Sequence, residues 1–211
     1  MRDYILISII GYLFGCLQFA FLLGKIYTKK DIRTLGHGNA GASNVAVSIG
    51  WKPGAMVALL DIGKAIVSVL LIKSLFPDLI HNNYFPLFLN GSFVVLGHTF
   101  PFYLNFKGGK GTASTTGMLL AINLNLGLIS MLITFLATVI SDYIAIGALV
   151  LWVYILSLPL FLPLEIDTIL LNSIMATIIL IKHIPNLKRI KNKEEKGLRN
   201  ALKSKKANQS G

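Results

Sequence analysis

Cysteine is almost absent from this chain: Cys16 is the only one in 211 residues, so no internal disulfide can staple the fold. Charge is scarce too. Charged side chains make up 14% of the sequence against 54% hydrophobic ones, and mean hydropathy is +0.68. That is too little polar surface for a soluble domain of this length. Acidic residues are few, nine against twenty Lys and Arg, which leaves a net charge of +11. Four histidines, with no cysteine cluster and no His-Glu-x-x-His, give no metal signature. No Gly-x-Ser-x-Gly elbow is present for a hydrolase nucleophile.

What remains is oil punctuated by polar turns. Apolar stretches run over about 4–24, 54–77, 84–106, 112–140, 143–162 and 166–182, several near the length a membrane-spanning helix needs. The "LFGC" at 13–16 has the look of a lipoprotein processing site. Phe14 is bulky where such sites take small residues, and Arg2 is the only cation before the apolar core, so Met1 to Lys25 reads as a retained first span.

The stretch 112–140 is long for one helix, and "NLNLG" at 123–127 puts two asparagines and a glycine near its middle. Those amides are costly in lipid and ordinary in a turn. Charge decides the count. Cations cluster after the first span (Lys25, Lys29, Lys30, Arg33, Lys52), around Lys107 and Lys110, and in the tail, where ten of the twenty Lys and Arg lie between Lys182 and Lys206. All three clusters share one side only if 112–140 is a short helix, a turn and a second helix. The expectation is an all-α integral membrane protein of seven transmembrane helices, one of them short, with the N-terminus outside and the C-terminus cytoplasmic. Residues 1–185 form the membrane domain and 186–211 a basic cytoplasmic tail. Without aromatic stacking residues among its cations, the tail suits anionic lipid rather than nucleic acid.

Gly11 and Gly15 form a GxxxG that lets helices approach closely. Asp61 and Lys64 lie three apart on one helical face, either neutralising each other or serving a site. On the expected inner face three unusual segments converge: "LGHGNAGASN" at 35–44, "GHTFPFYLNFKGGKGTAS" at 97–114 and "KHIPNLKR" at 182–189. The second is not a Walker A loop, because Leu104 stands six residues before Lys110 and Gly111 follows it. Its glycines, two lysines and a helix starting at Thr112 still suit a phosphate. A flexible loop held inside by its lysines is the alternative reading. The first segment, with His37, Asn39, Ser43 and Asn44, suits a phosphate or polyol, or is a structural loop.

These segments, with "LLDIGKA" at 59–65 between them, resemble the bacterial membrane acyltransferases that use acyl phosphate and glycerol 3-phosphate (the PlsY family), and the likeness covers nearly the whole chain. The resemblance implies transfer of a fatty acyl group from acyl phosphate to the 1-hydroxyl of glycerol 3-phosphate, giving lysophosphatidic acid for phospholipid synthesis. It implies a multi-pass protein of the bacterial cell membrane with a cytoplasmic active site and no cofactor. Lys110, His183 and Asn186 are the expected catalytic residues. His37, Asn39, Gly41, Ser43, Asn44, His98, Lys107, Gly108, Gly109, Gly111 and Thr112 are expected to bind substrate. Asp61 and Lys64 match the family as well, and Glu195 matches as a remnant of its tail motif. No His-x4-Asp dyad of the other major acyltransferase class occurs, and a substrate phosphate serving as base fits that gap.

The chain departs from the family pattern at His37 and Ala145, where it has Ser, at Val47, where it has Arg, and at "NKEEK" (192–196), where it has "NGTEP". Loss of an Arg removes a charge-assisted grip on phosphate. Transfer to a different acceptor, or a non-catalytic paralogue, are therefore the competing functions. The topology is directly checkable. With Cys16 replaced by Ala, single cysteines from Phe106→Cys and Ser204→Cys should react with a membrane-impermeant maleimide only in inside-out vesicles. Labelling from the outer side overturns the assignment.

Overall fold

The computed structural model describes residues 1–81 and 83–199, so the last three tail lysines, Lys203, Lys205 and Lys206, lie outside the described residues. The described residues form helices and turns with no strand. In chain order the helices are α1 (Arg2–Gly15), α2 (Phe19–Thr28), α3 (Ala42–Ser48), α4 (Trp51–Leu75), α5 (Pro77–Ile80), α6 (Phe85–Thr99), α7 (Thr112–Ile122), α8 (Leu124–Ser141), α9 (Ile144–Ser157) and α10 (Ile166–Lys191). Among the described residues, five segments are long and apolar enough to cross a membrane: Arg2–Thr28, Trp51–Leu75, Phe85–Leu104, Leu124–Ser141 and Ile166–Lys191. Thr112–Ile122 and Ile144–Leu160 are shorter and apolar. Rows of exposed apolar side chains, Leu59, Val67 and Leu70 on α4 and Leu128, Leu132 and Phe135 on α8, would be untenable in water and suit a lipid solvent.

The expected break in 112–140 is present. It falls at Asn123, whose side chain accepts from the Asn125 and Leu126 amides (2.9 and 3.3 Å) and so caps α8. The rest of "NLNLG" is the first turn of α8 rather than part of the turn. At 11 residues α7 is about 16 Å long, well short of a hydrocarbon core of about 30 Å.

Helix α6 is the central post, with twelve of its fifteen residues buried against α1, α4, α7 and α10. The two glycines of the GxxxG do what small residues allow. A methyl group on Gly15 would strike the Val94 carbonyl and sit 2.9 Å from the Gly97 Cα, so α1 and α6 touch through their backbones. Asn90 fastens the same helices, donating to the Ile7 carbonyl (3.0 Å) and accepting from Ser68 Oγ of α4 (2.8 Å).

The first span differs from the single helix expected over 4–24. It opens at residues 16–18, between α1 and α2, and the opening has an electrostatic cause. Lys64 Nζ of α4, 4% exposed, donates to the freed Gly15 and Leu17 carbonyls (3.1 and 2.7 Å). The same ammonium lies 2.8 Å from Asp61 Oδ1 and 2.9 Å from His98 Nδ1. Gln18 donates to the His98 carbonyl of α6 (3.0 Å). Irregular backbone is tolerated at membrane depth only where protein satisfies it, and here a buried charge does so. The domain boundary expected between 185 and 186 falls inside α10, which continues to Lys191.

Lys64→Met alone should leave Asp61 as an unpaired buried charge and cost about 3–5 kcal/mol. The double variant Asp61→Asn/Lys64→Met should recover the part of that loss due to the stranded carboxylate, while the Gly15 and Leu17 carbonyls stay without their donor. Thermal unfolding in detergent checks this; equal losses in the two variants would remove the pairing from the stability account.

Candidate functional site

The glycine-lysine loop follows a one-turn helix, Phe102–Leu104, and reverses through Asn105 and Phe106, both in the left-handed region (φ 54° and 58°). It then lies flat on the end of α6, with the Gly108 amide donating to the Thr99 carbonyl (3.1 Å) and the Gly109 amide to the His98 carbonyl (3.0 Å). Side chains have no room there. A Cβ on Gly108 would collide with the His98 carbonyl, and one on Gly109 with the His98 ring and, at 2.8 Å, the Ala40 carbonyl. Gly111, at φ +83°, turns the chain into α7.

This corrects one physical expectation. Backbone amides of consecutive glycines were expected to converge on an anion, yet those of Lys107, Gly108 and Gly109 are spent on the Leu104, Thr99 and His98 carbonyls. Anion attraction here belongs to side-chain cations and to the start of α7.

The first polar segment is tied to this loop. Asn44, fully buried, accepts from the His37 amide (2.6 Å) and donates to the Ile32, Leu35 and Asn39 carbonyls (2.9, 3.1 and 2.8 Å). The Ala40 amide donates to the Gly108 carbonyl (3.3 Å). Arg33, paired with Asp31 (2.7 Å), donates to the Leu104 carbonyl (2.7 Å). The Arg33 hydrogen bonds hold the Asp31 carboxyl below its usual range.

The third wall is the end of α10. Pro185 cannot donate to the Ile181 carbonyl, and both residues line the cleft. Asn186 links the walls, its Oδ1 accepting from Lys110 Nζ and its Nδ2 donating to Glu195 Oε1 (2.6 Å). Glu195 in turn pairs with Arg189 (2.5 Å). The resulting cleft, of about 270 Å³, is lined by His37, Gly38, Asn39, Lys107, Gly108, Gly109, Lys110, Ile181, Lys182, Pro185 and Arg189.

The expected residues divide into two groups. His37, Asn39, Lys107, Gly108, Gly109 and Lys110 line the cleft, and Asn186 holds Lys110. Asn44, His98 and His183 are 0%, 4% and 2% exposed and stand behind it. His183 Nδ1 is engaged with the Ile179 carbonyl (2.8 Å), and His98 with Lys64. Gly41 and Gly111 cap α3 and α7, whose first turns hold Ser43 and Thr112. Arg33, Lys182 and Arg189 were not singled out from sequence. A signal existed for two of them, since Lys182, Asn186 and Arg189 follow the four- and three-residue spacing of one helix face. Neither Val47 nor Ala145 lines the cleft.

The sequence model of the glycerol-3-phosphate acyltransferase family matches residues 5–193. The chain belongs to this family. A glycerol-3-phosphate acyltransferase of Pelagibacter ubique is 39% identical over 194 residues, covering 92% of this chain and 96% of that protein. Glycerol-3-phosphate acyltransferase 1 of Oceanobacillus iheyensis is 36% identical, with 91% and 93% covered. Among solved structures, the crystal structure of PlsY (YgiH), an integral membrane glycerol 3-phosphate acyltransferase in its glycerol 3-phosphate form, superposes with a TM-score of 0.82 at 25% identity. It covers 93% of this chain and 96% of its own. The lysophosphatidic acid form of PlsY gives 0.79 at 26% identity, covering 95% and 98%.

Within this acyltransferase fold the cleft gathers Lys107, Lys110, Lys182 and Arg189, and among the described residues Glu195, paired with Arg189, is the carboxylate that opposes them. Burial, with the Arg189 charge, pushes the Lys110 ammonium down to about 8. Lys110 therefore carries its charge below that pH and loses it above. Affinity for inorganic phosphate, measured by calorimetry, should fall as pH rises through about 8. In Lys110→Arg, whose guanidinium stays charged, the fall should vanish. An unchanged pH profile in that variant would remove Lys110 from the anion site.

Proposed function

We propose that this chain transfers a fatty acyl group from acyl phosphate to the 1-hydroxyl of glycerol 3-phosphate, releasing lysophosphatidic acid and inorganic phosphate. The reading rests above all on the cationic cleft that Lys107, Lys110, Lys182 and Arg189 form between the glycine-lysine loop and α10. Relatives named for this acceptor, and PlsY crystal forms with glycerol 3-phosphate and with lysophosphatidic acid, support it.

Acyl phosphate is already an activated anhydride, so the protein's work is to hold two phosphates and steady the oxyanion that forms. Lys110 is the cation best placed for that, because Asn186 fixes its ammonium and the loop beneath it is pinned to α6. In this reading the five long apolar segments and the two shorter ones make seven passes of the cell membrane, N-terminus outside. The cleft then opens to the cytoplasm, where the clustered cations belong. His183 acts from behind, orienting α10, and Asn44 and His98 shape the loops. A second acceptor is favoured by one observation, the imidazole of His37 on the cleft wall where the family pattern has a hydroxyl.

Purified protein given palmitoyl phosphate and glycerol 3-phosphate should release phosphate and form lysophosphatidic acid. Lys110→Ala should lower turnover about 10²–10³-fold. Full activity in that variant overturns the site, and silence with glycerol 3-phosphate but turnover with another polyol assigns the other acceptor.

A further inference from the structure

We propose that Asp142 and Gly197 are positioning residues for the acyl transfer, anchoring a strap that holds Glu195, and through it Asn186, against Lys110. This deepens the reaction proposed above and rests on it. The strap is the chain that follows α10. It leaves the helix through Lys193, in the left-handed region (φ 61°), and doubles back so that the Glu194 and Glu195 amides both donate to the Arg189 carbonyl (2.8 and 3.2 Å). It then reaches the turn between α8 and α9. There the Leu198 amide donates to the Asp142 carbonyl (2.7 Å) and the Arg199 amide to Asp142 Oδ1 (2.8 Å). Gly197 is buried directly on that carboxylate, where a Cβ would collide with Asp142 Oδ2.

Local chemistry does not account for Asp142. It ends α8 in the left-handed region (φ 66°), a place that favours Gly or Asn, and its charge faces the negative end of the helix dipole. The tertiary contact does account for it, since the strap's two amides take up its carbonyl and its carboxylate. Gly197 stands two residues from Glu195, a reach of at most about 7 Å even when extended, so the anchor confines the Glu195 carboxylate. That carboxylate decides which end of the Asn186 amide meets the lysine. Its Oε1 accepts from Asn186 Nδ2 (2.6 Å) and its Oε2 from Arg189 Nε (2.5 Å), with the side chain 8% exposed. A carboxylate only accepts, so the Asn186 nitrogen turns to it and the amide oxygen is left for Lys110 Nζ. Without Glu195 the amide is free to rotate and present a donor to the ammonium instead.

The consequence is readable at Lys110. Around its ammonium stand Arg189 and Lys182 of α10, Glu195 of the strap, and His37 and His183, while Lys107 shares its loop. Glu195 is the anion of this set, and it supports the charged ammonium against burial and the Arg189 charge. Releasing the strap therefore makes Lys110 lose its proton at a lower pH. It also withdraws the carboxylate that competes with a bound phosphate for the cations.

The test uses the full chain in lipid nanodiscs and two readouts: kcat and KM for phosphate release from palmitoyl phosphate, and the pH dependence of inorganic phosphate affinity by calorimetry. Gly197→Ala, which drives the strap off the carboxylate, should lower kcat about 10²-fold with little change in KM. Its phosphate affinity should fall at a lower pH than in the wild type, and well below that pH should be no weaker. Asp142→Ala removes the accepting Oδ1 without a clash and should move both readouts the same way. Asp142→Asn, which keeps an accepting oxygen, should recover most of the kcat. Wild-type kcat with an unmoved pH profile in Gly197→Ala and Asp142→Ala overturns the proposal. Weaker phosphate binding at every pH overturns it in favour of a general loss of the cleft. Asp142→Asn as impaired as Asp142→Ala overturns the hydrogen-bonded anchor. If the wild type makes no lysophosphatidic acid, the proposed reaction fails, and the phosphate profiles of the same variants still decide the strap.

Discussion

A lysine ammonium buried where α1, α4 and α6 meet is the contact on which the rest of this structure depends. Lys64, 4% exposed, cannot stay charged in an apolar interior unless protein groups take up its hydrogens. The chain answers by opening its first span at residues 16–18, so that the Gly15 and Leu17 carbonyls turn from their helix to the cation. Asp61 supplies the countercharge and His98 a ring nitrogen. Each group would be a liability alone. Together they lock α1, α4 and α6 in one register, with glycines 11, 15 and 97 allowing the close approach that brings the groups into range.

The same lock reaches the cleft through His98. Its ring sits under Gly109, its carbonyl receives the Gly109 amide, and the neighbouring Thr99 carbonyl receives that of Gly108. The glycine-lysine loop is therefore an extension of a rigid helix end, although its composition suggests mobility. The Ala40 amide, donating to the Gly108 carbonyl, and Arg33, donating to that of Leu104, brace it from the other side. Placing cations on a stiff frame matters for acyl transfer, since donors already in position need not reorganise as charge develops on the reacting oxygen.

Facing that loop, α10 contributes a second set of charges in which Asn186 is the coupling element. It accepts from Lys110 and donates to Glu195, which pairs with Arg189. A single amide thus relates the cation of one wall to the ion pair of the other. The Glu195 carboxylate moderates the positive field and leaves the remaining cations free for anionic oxygens.

Much of this was legible in the residues. Scarce charge and long apolar runs meant membrane helices, because lipid accepts little else. The asparagines in 112–140 marked a break, since an amide in lipid needs a partner, and the small residues of the first span marked a close helix contact. The three polar segments named the family, and their cations pointed to the cleft that these segments line. The sequence could not show that residues 16–18 unwind, because the groups that take up the opened carbonyls, Lys64 and Tyr103, lie 47 or more positions away. Nor could it separate His37, which meets the cleft, from His98 and His183, which stand behind it, since all three lie in equally polar motifs. Local composition decides what a segment can tolerate; which groups meet is decided by helices crossing through contacts distant in sequence.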